Sequence, residues 1–182
     1  MKNIFLFFTL LQLHSFGQQD YVILPKSGRI DLTYKNETDS FVDSYTTIQK
    51  VRPFNTFILR IRTTSWNTID TALFRQDETN FYATSLTSND DYIEIPKMPK
   101  VGQTWYNGDS SWVYSIKRVN AELKTPTQHY LNLIELEARK RNKNYKNYYE
   151  SYLNYYCSGI GFVASVVDEQ IIYYLVNRKI MK

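Results

Sequence analysis

Alternation of apolar and polar side chains with a period of two is the feature that most restricts how this chain can fold. It is clearest in two segments, 55–62 and 111–119. The apolar positions are Phe57, Leu59 and Ile61 in the first segment and Trp112, Tyr114 and Ile116 in the second. Successive side chains of a β-strand point to opposite faces of a sheet, so both segments are predicted to be strands. Arg60 and Arg62 then lie on the face opposite Phe57.

Segments rich in Val, Ile, Thr and Tyr recur along the chain and are separated by short polar turns. Further strands are predicted at 30–34, 41–51, 79–86, 92–95 and 130–136. A terminal hairpin is predicted to join 160–167 to 171–176 through Asp168, Glu169 and Gln170. Closely spaced strands with short turns indicate an all-β fold, built as a single curved antiparallel sheet or half-open barrel, with at most a short helix besides.

The segment 138–156 fits two interpretations. Its tyrosines, at positions 145, 148, 149, 152, 155 and 156, follow a spacing that a helix over 137–154 would place along one stripe. Tyr and Asn are weak helix formers, however, and the Tyr-rich end also suits a strand. We favour a charged hairpin loop over 139–147, followed by a strand over about 148–157.

The N-terminus has the pattern of a secretory signal peptide. Lys2 provides a positive charge, the run 4–13 is almost entirely apolar, and Ser15 and Gly17 supply the small residues that signal peptidase prefers. The run is shorter than the ~20 residues of a membrane-spanning helix. We therefore predict a signal peptide at 1–17, a single exported β-rich domain at 18–182, and no transmembrane helix.

Composition excludes several classes of function. One Cys and two His leave no disulfide framework and no multi-Cys metal site, so neither a metal nor another cofactor is expected. The formal net charge of +4 is small for 182 residues, which argues against nucleic-acid binding. The basic run 137–146 would suit phosphate, heparin-like glycans or anionic lipid, but a solvated loop is the simpler interpretation.

Candidate catalytic groups are few. His129 is the single His of the predicted mature chain and enters a predicted strand, where a surface position is its ordinary role. Cys157 lies among apolar residues and lacks the local signature of a cysteine protease, which indicates a buried thiol. Acid pairs at 77–78, 90–91 and 168–169 suit turns, and their spacing does not indicate the facing carboxylates that glycoside hydrolysis requires.

Aromatic content is the most informative chemical feature. The chain holds 16 Tyr, 10 Phe and 3 Trp, and each Trp is expected to pack substantially. On the inner face of a curved sheet such side chains can line a cavity for an apolar ligand, with plain core packing as the alternative. The residues predicted to contact such a ligand are Trp105, Trp112, Tyr114, Tyr130 and Tyr156.

Three motifs in the second half of the chain carry a resemblance. They are Val101-Gly102-Gln103-Thr104-Trp105, Thr125-Pro126-Thr127-Gln128-His129-Tyr130 and Tyr156-Cys157-Ser158-Gly159-Ile160-Gly161-Phe162-Val163. Over 99–177 the chain resembles uncharacterised exported β-rich proteins of Gram-negative bacteria, although Gln128 and Tyr130 replace the Gly and Phe of their middle motif. The resemblance implies a half-barrel similar to that of the periplasmic lipoprotein carriers. It also implies a destination in the periplasm or outside a Gram-negative cell.

Together these features lead to one expected function and two alternatives. We expect an exported, non-catalytic protein that binds an apolar or amphipathic ligand, or a partner protein, on an aromatic concave sheet face. The first alternative is a surface structural or interaction protein that pairs through sheet edges or exposed Tyr side chains. The second is a secreted hydrolase whose carboxylates cannot be paired from the sequence.

Overall fold

Every regular element that the structure describes is a β-strand. The computed structural model describes residues 21, 25, 27–52, 55–84, 90–141 and 149–182. The strands are β1 (Arg29–Lys35), β2 (Ser40–Arg52), β3 (Asn55–Thr64), β4 (Ile69–Gln76), β5 (Asn80–Thr84), β6 (Asp91–Pro96), β7 (Thr104–Tyr106), β8 (Trp112–Lys124), β9 (His129–Lys140), β10 (Ser151–Cys157), β11 (Gly161–Val167) and β12 (Gln170–Met181). The predicted signal peptide at 1–17 lies outside the described residues.

All twelve strands belong to one antiparallel sheet. Its order is β6-β5-β4-β3-β2-β1-β12-β11-β10-β9-β8-β7. Strands that follow one another in the chain therefore pair with one another, except β6 and β7, which are the two edge strands. The pairing of β1 with β12 joins the two halves. The sheet curls into a nearly closed barrel with one unsealed seam, between β6 and β7. The prediction of an all-β fold with a curved antiparallel sheet or half-open barrel is confirmed.

Bulges and left-handed residues bend the long strands. The pairing of β8 with β9 shifts register three times between Ile116 and Leu123. Asn120 and Asn132, one on each strand, have φ angles of 63° and 57°. Asn tolerates this left-handed conformation better than most residues, and a bulge sharpens the local bend of its strand. The hairpin of β8 and β9 is therefore curved rather than flat.

Two clusters of buried side chains form the core. The first cluster contains Ile30, Leu32, Tyr34, Phe41, Ala121, Tyr130, Leu133, Tyr155, Val163, Val166 and Leu175. The second contains Tyr21, Phe81, Ile95, Trp105, Ile116, Ile134, Leu136 and Tyr156. Tyr155 and Tyr156 are neighbours on β10 and enter different clusters, because successive side chains of a strand point to opposite faces. Both faces of β10 are therefore covered by packed side chains.

The segment 138–156 follows the second of its two interpretations where it is described. β9 continues to Lys140 and β10 begins at Ser151, so both ends of the helix considered over 137–154 are strands. Residues 142–148, which include most of the predicted charged loop, lie outside the described residues.

Trp66 corrects the expectation that every Trp packs substantially. It lies in the turn between β3 and β4, and 80% of its surface is exposed. A side chain at a hairpin turn has neighbours on fewer sides than one within a strand, which leaves the Trp66 ring in solvent. Trp105, in contrast, is buried in the second cluster.

Candidate functional site

A cavity lies inside the curved sheet, between strands that are far apart in the strand order. Its volume is about 370 Å³, and its wall includes residues of β2, β3 and β4 on one side and of β10, β11 and β12 on the other. The apolar wall contains Leu32, Phe41, Phe74, Ile160, Phe162 and Ile172, with Tyr21, Tyr45, Tyr149, Tyr152, Tyr156 and Tyr173. The polar lining residues are Asp43, Arg60, Arg62, Glu94, Asn154 and Ser165. We call this space the interior cavity.

A bidentate ion pair lies in the wall of the interior cavity. Asp43 on β2 and Arg62 on β3 are register partners. Nε and Nη2 of Arg62 donate to the two carboxylate oxygens of Asp43 at 2.7 and 2.8 Å. Asp43 is only 1% exposed, and the guanidinium carbon of Arg62 lies 4.3 Å from the centre of the Phe41 ring. Both charges are therefore neutralised inside the sheet and fixed in position.

Arg60 lies two residues from Arg62 on the same face of β3. Its side chain is 15% exposed, and Nη2 pairs with the carboxylate of Asp70, which is 64% exposed. Its guanidinium carbon lies 5.9 Å from the centre of the Phe74 ring. Nε of Arg60 is buried and has no hydrogen-bond partner among the described residues. Arg60 thus places a guanidinium group, paired with Asp70, in the cavity wall.

A β-bulge sets the position of Glu94. Phe81 of β5 pairs with Ile95 of β6, and the next residue, Tyr82, pairs with Ile93. Glu94 is therefore an extra residue of β6 with no partner on β5. Bulges of this kind re-aim a side chain, and they recur beside functional sites.

The cavity environment keeps Glu94 protonated more readily than an exposed glutamate. Burial raises the pKa of the Glu94 carboxyl, while the hydrogen bond from Tyr156 and the charges of Arg60 and Arg62 act to lower it. Tyr156 donates from its hydroxyl to Oε1 of Glu94 at 3.3 Å. Burial also raises the pKa of Tyr45 and of Tyr156, so both phenols are protonated at neutral pH.

A second space adjoins the interior cavity. Its volume is about 490 Å³, and Glu94, Tyr152, Asn154 and Tyr156 belong to both walls. The turn between β7 and β8 closes its other side with residues 107–109. These four side chains therefore form the wall between the two cavities and line both of them. We call this second space the adjoining cavity.

Side chains bridge the seam between the edge strands. Nε1 of Trp105 on β7 donates to the carbonyl oxygen of Ile93 on β6 at 2.8 Å. Gly108, in the turn after β7, lies so close to the Tyr92 ring that a Cβ atom at this position would overlap it. Each contact links one edge strand to the other without a backbone ladder.

The five residues predicted to contact a ligand fall into three groups. Tyr156 lines both cavities and Tyr114 lines the adjoining cavity. Trp105 stacks on Tyr114 at a centroid distance of 5.9 Å, and Trp112 packs against a tyrosine of the shared wall at 5.3 Å. Tyr130 is buried in the first cluster and is not among the described lining residues of either cavity. Two of the five thus line a cavity, and two support lining residues.

His129 and Cys157 are not described as lining either cavity. Nε2 of His129 contacts Oε1 of Glu122 at 2.6 Å on the surface of the β8–β9 hairpin, where both side chains are at least half exposed. Cys157 packs against the first cluster, and burial raises the pKa of its thiol. The polar and charged side chains described in the cavity walls are therefore other residues.

Four charged lining residues, Asp43, Arg60, Arg62 and Glu94, were not predicted as site residues. The alternation in β3 separates Arg60 and Arg62 from Phe57, but it does not state which face is interior. Three of these residues could have been identified from one signal. Arg60 and Arg62 are at alternate positions of one strand, and Asp43 is on the preceding strand. Glu94 has no such signal, because its position depends on a bulge.

No group of three or more His, Cys, Asp or Glu side chains suited to a metal ion occurs among the described residues. The same part of the chain contains no helix of the length and apolar character needed to cross a membrane.

Comparison with known proteins gives no match. No protein-family model, no curated protein and no solved structure matches this chain. The resemblance seen in the second half of the sequence therefore stays a prediction, and functional inference depends on the cavities.

Proposed function

We propose that this protein binds a small amphipathic ligand inside its sheet and performs no chemistry on it. The observation that carries the proposal is the interior cavity, where the described side chains leave about 370 Å³ of space. Small-molecule sites commonly measure ~300–1,000 Å³ and combine a mostly apolar wall with a few polar groups. The aromatic and charged side chains of this wall have that composition, which suits a ligand with an apolar part and a polar part.

The arrangement of carboxylates favours binding over hydrolysis. Asp43 and Glu94 are the acidic residues described in the wall of the interior cavity. Both oxygens of Asp43 accept hydrogen bonds from Arg62, so this carboxylate is occupied as a structural partner. Within the interior cavity Glu94 has no second unpaired carboxylate to share acid–base work, and glycoside hydrolysis requires two. The wall of the adjoining cavity adds Asp109, whose Oδ1 accepts a hydrogen bond from the backbone N–H of Ser111.

The arrangement of the sheet edges favours ligand binding over pairing between chains. The edge strands β6 and β7 face each other across the seam, and the Trp105 side chain already occupies the carbonyl oxygen of Ile93. An edge that faces another part of the same sheet is poorly accessible to a strand of a partner.

The proposed setting of this binding is outside the cytoplasm. The signal-peptide pattern at 1–17 and the resemblance over 99–177 are its support, and both come from the sequence. A carrier for an amphipathic molecule in the periplasm or the medium needs a site that shields an apolar group from water, and a cavity inside a sheet provides such a site.

A neutral apolar dye that fluoresces in a dry environment, N-phenyl-1-naphthylamine, tests the proposal. We expect saturable binding of one dye per chain. Asn154 lines both cavities, so Asn154→Trp should fill shared space and abolish most of the fluorescence. The matched control is Asn177→Trp, which adds the same ring at an exposed position of β12 and should bind like the wild type.

Circular dichroism establishes that each variant is folded. If Asn154→Trp does not fold, Ile172→Trp blocks the interior cavity from the opposite wall and replaces it in the experiment. Equal dye binding by the wild type and a folded cavity-blocked variant would place the dye elsewhere and end the proposal.

A further inference from the structure

The adjoining cavity has negative charge in its wall and no counter-ion there. Its described lining residues include two acids, Glu94 and Asp109, and no Lys, Arg or His. Neither acid belongs to an ion pair among the described residues. In the wall of the interior cavity, by contrast, Arg60 and Arg62 are each paired with an aspartate. A cavity lined by charge of one sign attracts ligands of the other sign.

The carboxylate of Glu94 has a free acceptor. Its Oε1 accepts a hydrogen bond from the hydroxyl of Tyr156 at 3.3 Å. Its Oε2 accepts none from the described residues, yet it is not among their fully enclosed atoms that lack a partner. Oε2 therefore keeps accessible surface, and Glu94, which lines the cavity, is only partly buried. A donor held in the cavity can complete the hydrogen bonding of this carboxylate.

Four tyrosines surround the same space, Tyr92, Tyr114, Tyr152 and Tyr156. Burial raises the pKa of Tyr114, of Tyr152 and of Tyr156, so these three phenols are uncharged at neutral pH. A neutral phenol oxygen still accepts hydrogen bonds, and the face of a tyrosine ring attracts a cation. The wall can therefore replace part of the water that a positively charged ligand loses on entry.

Asp109 places the second negative charge at the rim. It lies in the exposed turn between β7 and β8, where its Oδ1 accepts a hydrogen bond from the backbone N–H of Ser111 at 2.9 Å. Hydrogen bonds from Ser111 lower the pKa of Asp109, so this carboxylate is ionised at neutral pH. A cation that approaches the cavity thus meets one carboxylate at the rim and a second one, Glu94, in the wall between the two cavities.

We propose that the adjoining cavity is a second binding site, which takes a small primary amine in its charged, ammonium form. The ammonium donates to Oε2 of Glu94 and to phenol oxygens of the surrounding tyrosines, and the apolar part of the amine lies against their rings. A neutral alcohol lacks the charge, an anion is repelled by both acids, and a quaternary ammonium has no N–H to donate. This site is separate from the interior cavity and does not depend on the function proposed for it.

Four probes built on one benzyl or phenyl ring isolate the charged group. Benzylamine, benzyl alcohol, benzoate and benzyltrimethylammonium are titrated into the full-length protein by calorimetry at pH ~8, where a primary amine is charged and Glu94 is more fully ionised than at lower pH. We expect benzylamine to bind at least about 10-fold more tightly than each of the other three, the factor that a charge-assisted hydrogen bond supplies.

Glu94→Gln tests the acceptor directly. The substitution keeps the shape of the side chain and removes its charge, so the affinity for benzylamine should fall about 10-fold, to near that for benzyl alcohol. Binding of benzyl alcohol should stay as in the wild type, which also shows that the variant is folded. The matched control, Glu150→Gln, changes an exposed glutamate outside both described walls and should bind all four probes like the wild type.

Two Trp substitutions locate the amine. Ala83 lines only the adjoining cavity and Ile172 only the interior cavity. Ala83→Trp should abolish most benzylamine binding and retain the dye N-phenyl-1-naphthylamine, whereas Ile172→Trp should retain benzylamine and lose the dye. If Ala83→Trp does not fold, Ile172→Trp decides alone, because loss of benzylamine in that folded variant would place the amine in the interior cavity and overturn the proposal.

The outcomes separate the two proposals. Equal binding of benzylamine and benzyl alcohol by the wild type, or tighter binding of benzoate, would refute the ammonium site and leave dye binding in the interior cavity untouched. Equal or tighter binding of benzyltrimethylammonium would refute the hydrogen bond to Glu94. Preferential binding of benzylamine by a protein that takes up no dye would support the ammonium site and contradict the function proposed for the interior cavity.

Discussion

Asp43 and Arg62 show how a charged pair can lie inside a barrel of aromatic side chains. The two residues are register partners, so strand pairing brings them together without a loop. Removing one partner of a buried ion pair destabilises the fold far more than removing one partner of an exposed pair, because the remaining buried charge has no counter-ion. The pair also holds the Arg62 guanidinium over the Phe41 ring.

We expect Asp43→Asn to lower the free energy of unfolding by about 2–3 kcal/mol, less than the ~3–5 kcal/mol typical of fully buried pairs, because Arg62 keeps 33% exposure. Asp31→Asn, which removes the partner of the more exposed Arg29, should cost less than about 1 kcal/mol. Urea denaturation of both variants measures the difference. Equal losses would show that burial of the Asp43 pair has no energetic consequence.

Glu94 should make stability depend on pH in the direction opposite to a salt-bridged acid. Its pKa in the folded chain is raised by burial, so the native state binds this proton more tightly than the unfolded state does. The resulting stability is fully present below the ordinary pKa of glutamic acid, ~4.3, and is lost as pH rises through the raised native value.

Glu94→Gln should therefore be about as stable as the wild type near pH ~4 and more stable at neutral pH, because glutamine has no proton to lose. Urea denaturation across this range measures the difference, with Glu150→Gln as an exposed control. Parallel pH profiles for the wild type and Glu94→Gln would contradict the raised pKa.

At the scale of elements, local patterns identified most strands because hairpins place pairing partners close together in the chain. The turn at Asp168 and Glu169 illustrates this: both residues have positive φ angles, 47° and 65°, as a two-residue hairpin turn requires. β4 was not among the predicted strands, since Asp70, Arg75 and Gln76 interrupt its apolar positions. β4 forms a strand because it pairs with β3, although its own apolar pattern does not identify it.

The candidate site was less predictable than the strands. Tyr114 and Tyr156 could be predicted from aromatic content, because large rings on a concave face must line or fill its interior. Arg60 could not, because alternation assigns residues to two faces without stating which one is inside. Glu94 depends on a bulge that breaks the period of two, so a periodic pattern cannot locate it.

The seam between β6 and β7 gives a prediction about closure. A Cβ atom at position 108 would overlap the Tyr92 ring, so Gly108→Ala should force this ring away from the turn after β7. We expect a loss of about 1–3 kcal/mol, typical of overpacking. In a Tyr92→Ala background the same change should cost less than about 0.5 kcal/mol, because the obstructing ring is absent.

A double-mutant cycle by urea denaturation measures this coupling, and amide hydrogen exchange reports whether β6 and β7 lose protection first. Additive effects of the two substitutions would mean that the contact does not hold the seam.

For the whole molecule, the strand order explains why a cavity forms. β1 and β12 pair in the middle of the order, so the first and the last described strands lie at the junction of two six-strand halves. The halves curl toward each other until β6 meets β7, and side chains from both halves then face one interior. The residues that line the interior cavity come from strands as distant in order as β6 and β10 for this reason.

The most direct test of the central claim is native mass spectrometry of the full-length protein purified from its own host. We expect one adduct per chain with the mass of an amphiphile, lost in a folded Asn154→Trp variant and retained in Asn177→Trp. A wild-type chain that carries no adduct and binds no N-phenyl-1-naphthylamine would contradict the claim that the interior cavity is a binding site.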